Sequence, residues 1–457
     1  MAPRGLTRRE LLLRVSLGAV GVAVASCGPA SKPEPTKAVE EQAGATQAPP
    51  EQTPPAPKEK VTVKFMVPGS QQEDADFKPV FDAFAEKYPD INGVYAPAGT
   101  GYTPEYDEKL MTMLAGGVAP DVFKTLFGKF GVLGAMDVYL PLDDYVAAYP
   151  EITQFEDFFE NHVQGCRIQG KLMALPNDGA PEGIWYNVDL FEAESIGFPD
   201  WDWTWDTMTE AATRLTKTEG DITVQYGIGH PFWLETIWSN GGEVISEDGK
   251  KCLLDSPEAV EALTWMQDLV VKHKVSPGPQ ALSELSQSDR FMTGKLGAYY
   301  AVRGALGALR SIKDFDFDAA PMLKSNKGQR VTRLLIGWTS IWKGTKHPDE
   351  AYKLAAWICS PEGQRLRISR GYAHPSRKSL VQEDWYKNYK CDRCHSTNVN
   401  MVFPQMLLNG EARAWPPYPK EGEILRVINT QLDHLWDGSK SAEQVAKDMT
   451  AEIDQLL

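Results

Sequence analysis

Long apolar runs are missing from most of this chain. Outside residues 1–26 no stretch offers the about 20 consecutive apolar residues that a membrane-spanning helix takes. Positive charge is also short: 47 Lys and Arg stand against 62 Asp and Glu, a formal net charge of −15. Phosphate contacts demand clustered positive charge, so this balance argues against a nucleic-acid partner. With 6 cysteines in 457 residues the chain is no disulfide-stapled scaffold, and at most one or two bridges are expected. The 7 His are scattered singly, and no GxSxG, HExxH, Walker loop or dinucleotide fingerprint stands in a suitable context. Asp and Glu are too frequent for a glycosidase-like pair to carry information. Catalysis therefore has no positive support, and neither an enzyme nor a cofactor is expected.

The N-terminus holds a targeting segment. Arg4, Arg8, Arg9 and Arg14 form a basic region before an apolar stretch, Leu11 to Ala25, that is too short and too rich in Gly and Ala for a stable span. The string TRRELL resembles the twin-arginine export motif, which implies export in a folded state. Val24-Ala25-Ser26-Cys27 resembles the lipobox of bacterial lipoproteins, in which small residues fit the peptidase cleft and the cysteine thiol takes a diacylglycerol. Two acyl chains suffice for stable anchoring. Residues 1–26 read as the signal, and the protein is expected at the outer face of the cell membrane, held by lipid on Cys27. The following residues, to about Lys60, are rich in Pro, Ala, Glu and Gln without a hydrophobic period, and cannot offset their ordering entropy by burial. They read as a semi-extended tether.

From Val61 onward the chain is too long for one compact core and predicts two lobes. Residues 61–67 alternate as a strand, residues 77–88 carry Val80, Phe81 and Phe84 at helical spacing, and residues 106–115 form a second helix closed by Gly116-Gly117. A short strand begins at Asp121. Thr204, Ser256 and Ser360 each stand where a helix N-cap belongs, with an acid in the first turn. The last helix starts at Ser441, with Gln444 completing a capping box and Val445, Met449, Ile453 and Leu456 on its apolar face. Strand and helix alternation predicts an α/β fold with mixed sheets.

Several strings are recognisable in order: LAGGVAPDVF (114–123), GKLMALPND (170–178), IWYNVDLFEAESIGFPDWDWTWDTM (184–208), WSNGGEVISEDGKKCLLDSPEAVEAL (238–263), FMTGKLGAYY (291–300) and IGWTSIWKGTKHPDEAYKLAAWICSPEGQ (336–364). Together they resemble the family 1 extracellular solute-binding proteins of ABC transporters, the group that includes maltodextrin-binding proteins. The resemblance implies a type II periplasmic-binding-protein-like bilobal fold, with hinge crossings near 176–180, 299–302 and 337–339. It places residues 61–176 with 303–336 in an N-terminal lobe and 180–299 with 339–457 in a C-terminal lobe. It also implies a ligand held between lobes that close on it, an ABC permease as partner, and a monomer.

A sugar presents apolar C–H faces and a rim of hydroxyls, so its cleft needs aromatic platforms beside Asp, Asn, Arg and Gln. All 13 Trp lie beyond the tether. Trp338 stands where the family often places a cleft-facing aromatic, the alternative being a core Trp. Trp233 and Trp238 precede a turn that the resemblance puts near the cleft, whereas Trp205 reads as a structural staple after a helix cap. Asp121 and Asp178 are candidates to accept sugar hydroxyls, with a turn or cap role as the plain alternative. Ser70, Tyr299, Arg303 and Tyr372 complete the candidate set. A mono- or oligosaccharide is the expected ligand, and a polyamine or another small polar solute on the same fold is the alternative.

Cys391-Asp392-Arg393-Cys394-His395 stands apart. It matches CxxCH, the attachment sequence of c-type haem, which opens a second class of reading, a metal- or haem-bearing redox lipoprotein. Haem is attached to chains exported unfolded, which conflicts with the twin-arginine signal. A local disulfide, a metal site of Cys391, Cys394 and His395, or an inert loop remain open.

Overall fold

The computed structural model describes residues 59–69, 71–99, 104–125, 127–368 and 374–457. The signal, Cys27, nearly all of the tether, Ser70 and Tyr372 lie outside the described residues.

A ten-stranded mixed sheet runs through the body. Its main path is Ile91–Ala98, Val61–Pro68, Val122–Thr125, Thr332–Ile341, Leu175–Asn187, Leu296–Val302, Ile222–Ile228 and Lys217–Glu219. Phe317–Ala320 pairs beside Leu175–Asn187, and Ala412–Ala414 beside Thr332–Ile341. The first three strands are parallel, as expected of strands joined by helical crossovers. Val63, Phe65 and Val67 of the opening strand are fully buried. The helix after it spans Gln71–Lys87, longer than its sequence signal, and buries Phe77, Val80 and Phe84.

Two hydrophobic cores flank the sheet. One gathers side chains from Val63 to Leu175 and from Leu334 to Ala412, the other from Ile184 to Leu323 and from Cys394 to Ile453. Leu175–Asn187 is the hinge strand between them: Leu175 belongs to the first core and Ile184 to the second. Its partner changes at the same place. Up to Pro181 it pairs with Thr332–Ile341, and from Glu182 it pairs with Leu296–Val302. The result is an α/β bilobal body.

The cores divide the second half of the chain differently from the expected lobes. Leu306, Leu309, Ile312 and Phe317, expected in the N-terminal lobe, pack in the second core, while Ile341, Tyr352, Leu354 and Trp357 pack in the first. The reason is topological. After Leu296–Val302 the chain turns into Phe317–Ala320, which pairs with the second-core end of the hinge strand, and Thr332–Ile341 makes the return.

Local signals explain many element ends. Thr204 caps Trp205–Leu215 in a reciprocal box with Thr207, Ser256 accepts from the Ala259 N–H, and the Ser360 hydroxyl accepts from the Gly363 N–H. Ser441 accepts from the Gln444 N–H, but the Gln444 side chain donates to Asp448, so the reciprocal half of that box is absent. Trp205 is buried and stacks on Trp265 at 4.5 Å, in keeping with a staple.

Candidate functional site at the junction of the two cores

Glu182 stands where the hinge strand changes partners, and its carboxylate accepts from Arg333 Nη2 at 2.8 Å. The second-core helix Trp233–Ser239 brings Glu235, fully buried, to the other side, with its carboxylate 3.6 Å from Arg333 Nε. Two carboxyls and one guanidinium are thus enclosed together. Burial pushes Glu235 well above the usual carboxylate range and the neighbouring Glu182 pushes it further. Burial also opposes ionisation of Glu182, but Arg333 outweighs it and holds this group below its ordinary value.

Aromatic rings close around the guanidinium. Arg333 lies 3.5 Å from the Phe232 ring centroid and 5.7 Å from that of Phe127, whose side chain packs against both cores. From Phe127 the rings continue to Trp415 at 6.4 Å, which meets Trp233 edge-on at 5.8 Å and Tyr418 at 5.2 Å. Trp238 carries Arg413 over its face at 4.4 Å, and Arg413 is itself held by Glu243 through two bonds of 2.6 and 2.8 Å. The indole N–H groups of Trp233 and Trp238 are buried and meet no acceptor among the described residues. A region with apolar ring faces, buried donors and a paired Arg can hold a polar solute through stacking and directed hydrogen bonds.

The sequence-predicted residues fall into several places. Trp233 and Trp238 join this junction. Asp178 lies on the hinge strand, where Lys124 at 3.3 Å and Arg367 at 2.5 Å overcome the effect of burial and hold its carboxyl at about 2. Asp121 ties distant segments together: its carboxylate accepts from the Lys64 N–H of the strand Val61–Pro68 and from the Thr345 hydroxyl at 2.9 and 2.6 Å.

Three candidates are committed to packing. Trp338 lies in the first core, stacked on Phe130 at 5.0 Å with its indole N–H on the Gly165 carbonyl at 2.7 Å. Tyr299 is buried against Phe291, and Arg303, fully enclosed, donates to Asn400 and lies over Tyr386. Trp338 and Tyr299 sit on strands with both faces largely covered, and Arg303 opens the short 3-10 turn that follows Leu296–Val302.

The CxxCH segment is corrected by a bond. Cys391 and Cys394 form a disulfide, which uses both sulfurs and leaves no thiol for haem or a metal, while Cys166, Cys252 and Cys359 are free and buried. The loop is strapped to the second core: Phe317 N–H donates to the Arg393 carbonyl at 3.0 Å and His395 N–H to the Phe317 carbonyl at 2.9 Å. Among the described residues no group of three or more His, Cys, Asp and Glu could hold a metal ion.

The sequence profile described as bacterial extracellular solute-binding protein matches residues 68–365. The chain belongs to that family. Among its relatives, an arabinooligosaccharide-binding protein of Halalkalibacterium halodurans is 22% identical over 214 residues, 46% of each chain. An ABC substrate-binding protein of Listeria monocytogenes in complex with cycloalternan superposes with a TM-score of 0.75 at 21% identity, covering 87% of this chain and 99% of the other. UgpB of Mycobacterium tuberculosis, in complex with glycerophosphocholine, gives 0.73 at 16%, covering 86% and 98%. These likenesses establish the bilobal fold of this solute-binding protein.

In the solute-binding protein the residues that sequence reasoning missed are Arg333, Glu182, Glu235, Phe127, Phe232 and Trp415. One signal was available: a Glu in the strand Leu175–Asn187 and an Arg in the strand Thr332–Ile341 are costly inside a sheet unless they pair. Which pair they make depends on register, where Leu334 faces Pro181 next to both groups.

Proposed function

We propose that this solute-binding protein captures a mono- or oligosaccharide at the junction of its two lobes and delivers it to an ABC importer, without catalysis. Lipid on Cys27 keeps it at the outer face of the membrane and raises its effective concentration beside the transporter. One observation supports the reading of the ligand: among the described residues the indole N–H groups of Trp233 and Trp238, buried in the second core beside Trp415 and Arg413, meet no acceptor. Relatives named for arabinooligosaccharide and cycloalternan support it. A ligand that touches both lobes stabilises the closed arrangement by its differential contacts.

Thermal-shift measurement of the protein against saccharides, glycerophosphocholine and a polyamine tests this. Stabilisation grows as ln(1 + [L]/Kd), about 2.7 kcal/mol at 100 Kd. A saccharide is expected to raise the melting temperature with concentration, and Trp233→Ala to abolish that rise. A shift with the polyamine or the phosphodiester alone would overturn the reading. Substitution of Cys27 by Ala is expected to move the protein from the membrane to the soluble fraction, and membrane retention would refute lipid anchoring.

A further inference from the structure

The buried cluster of Glu182, Glu235 and Arg333 poses a problem of charge. Two carboxylates enclosed with one guanidinium would leave a net buried negative charge, which is costly in a poorly solvated interior. The geometry shows which carboxyl takes the ion pair. Arg333 Nη2 reaches Glu182 at hydrogen-bonding distance, 2.8 Å, whereas its Nε stands 3.6 Å from Glu235, too far for a hydrogen bond. Among the described residues Arg333 is the one cation paired with Glu235. The small cavity on its other side is lined by Pro231, Thr236, Ser239, Tyr300 and Met322 among others, none of them basic. The titratable and charged groups that face it are Glu182 from the hinge strand, Arg333 from Thr332–Ile341 and Tyr300 from Leu296–Val302.

We infer that Glu235 is carried as the neutral acid, so that the Arg333 guanidinium balances Glu182 and stays fixed between Phe127 and Phe232. Glu235 is then a positioning residue. By staying neutral it leaves Arg333 to Glu182 at the crossing between the lobes and keeps that crossing electrically neutral. The upward displacement of Glu235 and downward displacement of Glu182 agree with this division. The inference concerns the same site as the proposed saccharide junction, but its test is read without ligand, so its failure leaves the ligand question where it stands.

Full-length Glu235→Gln and Glu182→Gln variants are compared with the unmodified protein by thermal unfolding between pH 5 and 8. Gln mimics the neutral acid, so Glu235→Gln is expected to melt within a few degrees of the unmodified protein at pH 7. Glu182→Gln removes the carboxylate that accepts from Arg333 and leaves the guanidinium only the more distant Glu235, and it is expected to melt roughly 5–10 °C lower. The sign of the pH dependence follows from linkage. A carboxyl whose folded pKa is raised stabilises most below its unfolded value, and that contribution is lost as pH rises toward the folded pKa. Glu235→Gln is therefore expected to flatten part of the fall in stability with rising pH. As a direct readout, the infrared carboxylic-acid carbonyl band at pH 7 should lose one component in Glu235→Gln. Equal destabilisation by the two variants, loss of folding in Glu235→Gln, or an unchanged infrared band overturns the inference.

Discussion

At the scale of single residues, the same side chain type serves two ends in this protein, and its hydrogen bond tells them apart. Trp338 has its indole N–H on the Gly165 carbonyl and its ring flat on Phe130, whereas the indoles of Trp233 and Trp238 have no acceptor among the described residues. Trp338→Ala is therefore expected to destabilise the protein without ligand by about 3–5 kcal/mol, the usual cost of emptying a large aromatic site, read by denaturant unfolding. A folded variant of near-normal stability that no longer responds to ligand would return Trp338 to the cleft. The sequence could not separate these roles. Trp338 follows the run Leu334 to Gly337 on a strand buried on both faces, where period-2 alternation, the usual guide to orientation, is absent.

Among the elements, the pair formed by the hinge strand and Thr332–Ile341 decides most. Its register sets Gly337 opposite Asp178, and a bulge follows between Gly337 and Trp338. A Cβ on Gly337 would stand 2.0 Å from Asp178 Oδ1 and 2.5 Å from Asn177 Oδ1. Asp178 cannot easily swing away, because Lys124 and Arg367 hold it. Gly337→Ala is thus expected to cost about 1–3 kcal/mol, as overpacking typically does, with the loss visible as a lower denaturant midpoint. An Ala variant as stable as the unmodified protein would show that the Asp178 ion pairs yield freely. The strings near 176–180 and 337–339 pair with each other, but Leu334, Ile336, Trp338 and Ile341 all pack in the first core, so 337–339 is not itself a crossing. The lobe assignment of the segments between them was not legible in the sequence, since it depends on which strand carries the chain back.

The whole molecule depends on contacts that tie one core to the other. Glu421, at the start of the second-core helix Glu421–Trp436, accepts from the Gly131 N–H of the first core at 3.3 Å. Gly131 is tight against the Tyr418 backbone, where a Cβ would stand 2.4 Å from the Tyr418 carbonyl oxygen. Burial pushes the Glu421 carboxyl up to about 7. Because the folded value lies above the unfolded one, its contribution is full below about pH 4.5 and falls away as pH rises through about 7, by an order of 3 kcal/mol. Glu421→Gln is expected to remove that part of the pH dependence in equilibrium unfolding between pH 4.5 and 8. An unchanged profile would place the titration elsewhere.

The sequence by itself determined the features that depend on local chemistry. Hydroxyl caps at Thr204, Ser256 and Ser441 started their helices, and ordered strings carried the family. Each of these reads from neighbours along the chain. Tertiary structure alone decided which aromatic rings gather at the junction and that Arg333 meets Glu182 and Glu235 there. Those outcomes bring together residues as far apart as Phe127, Glu182, Glu235, Arg333 and Trp415, and long-range pairing depends on strand register and crossover order, which no local pattern encodes.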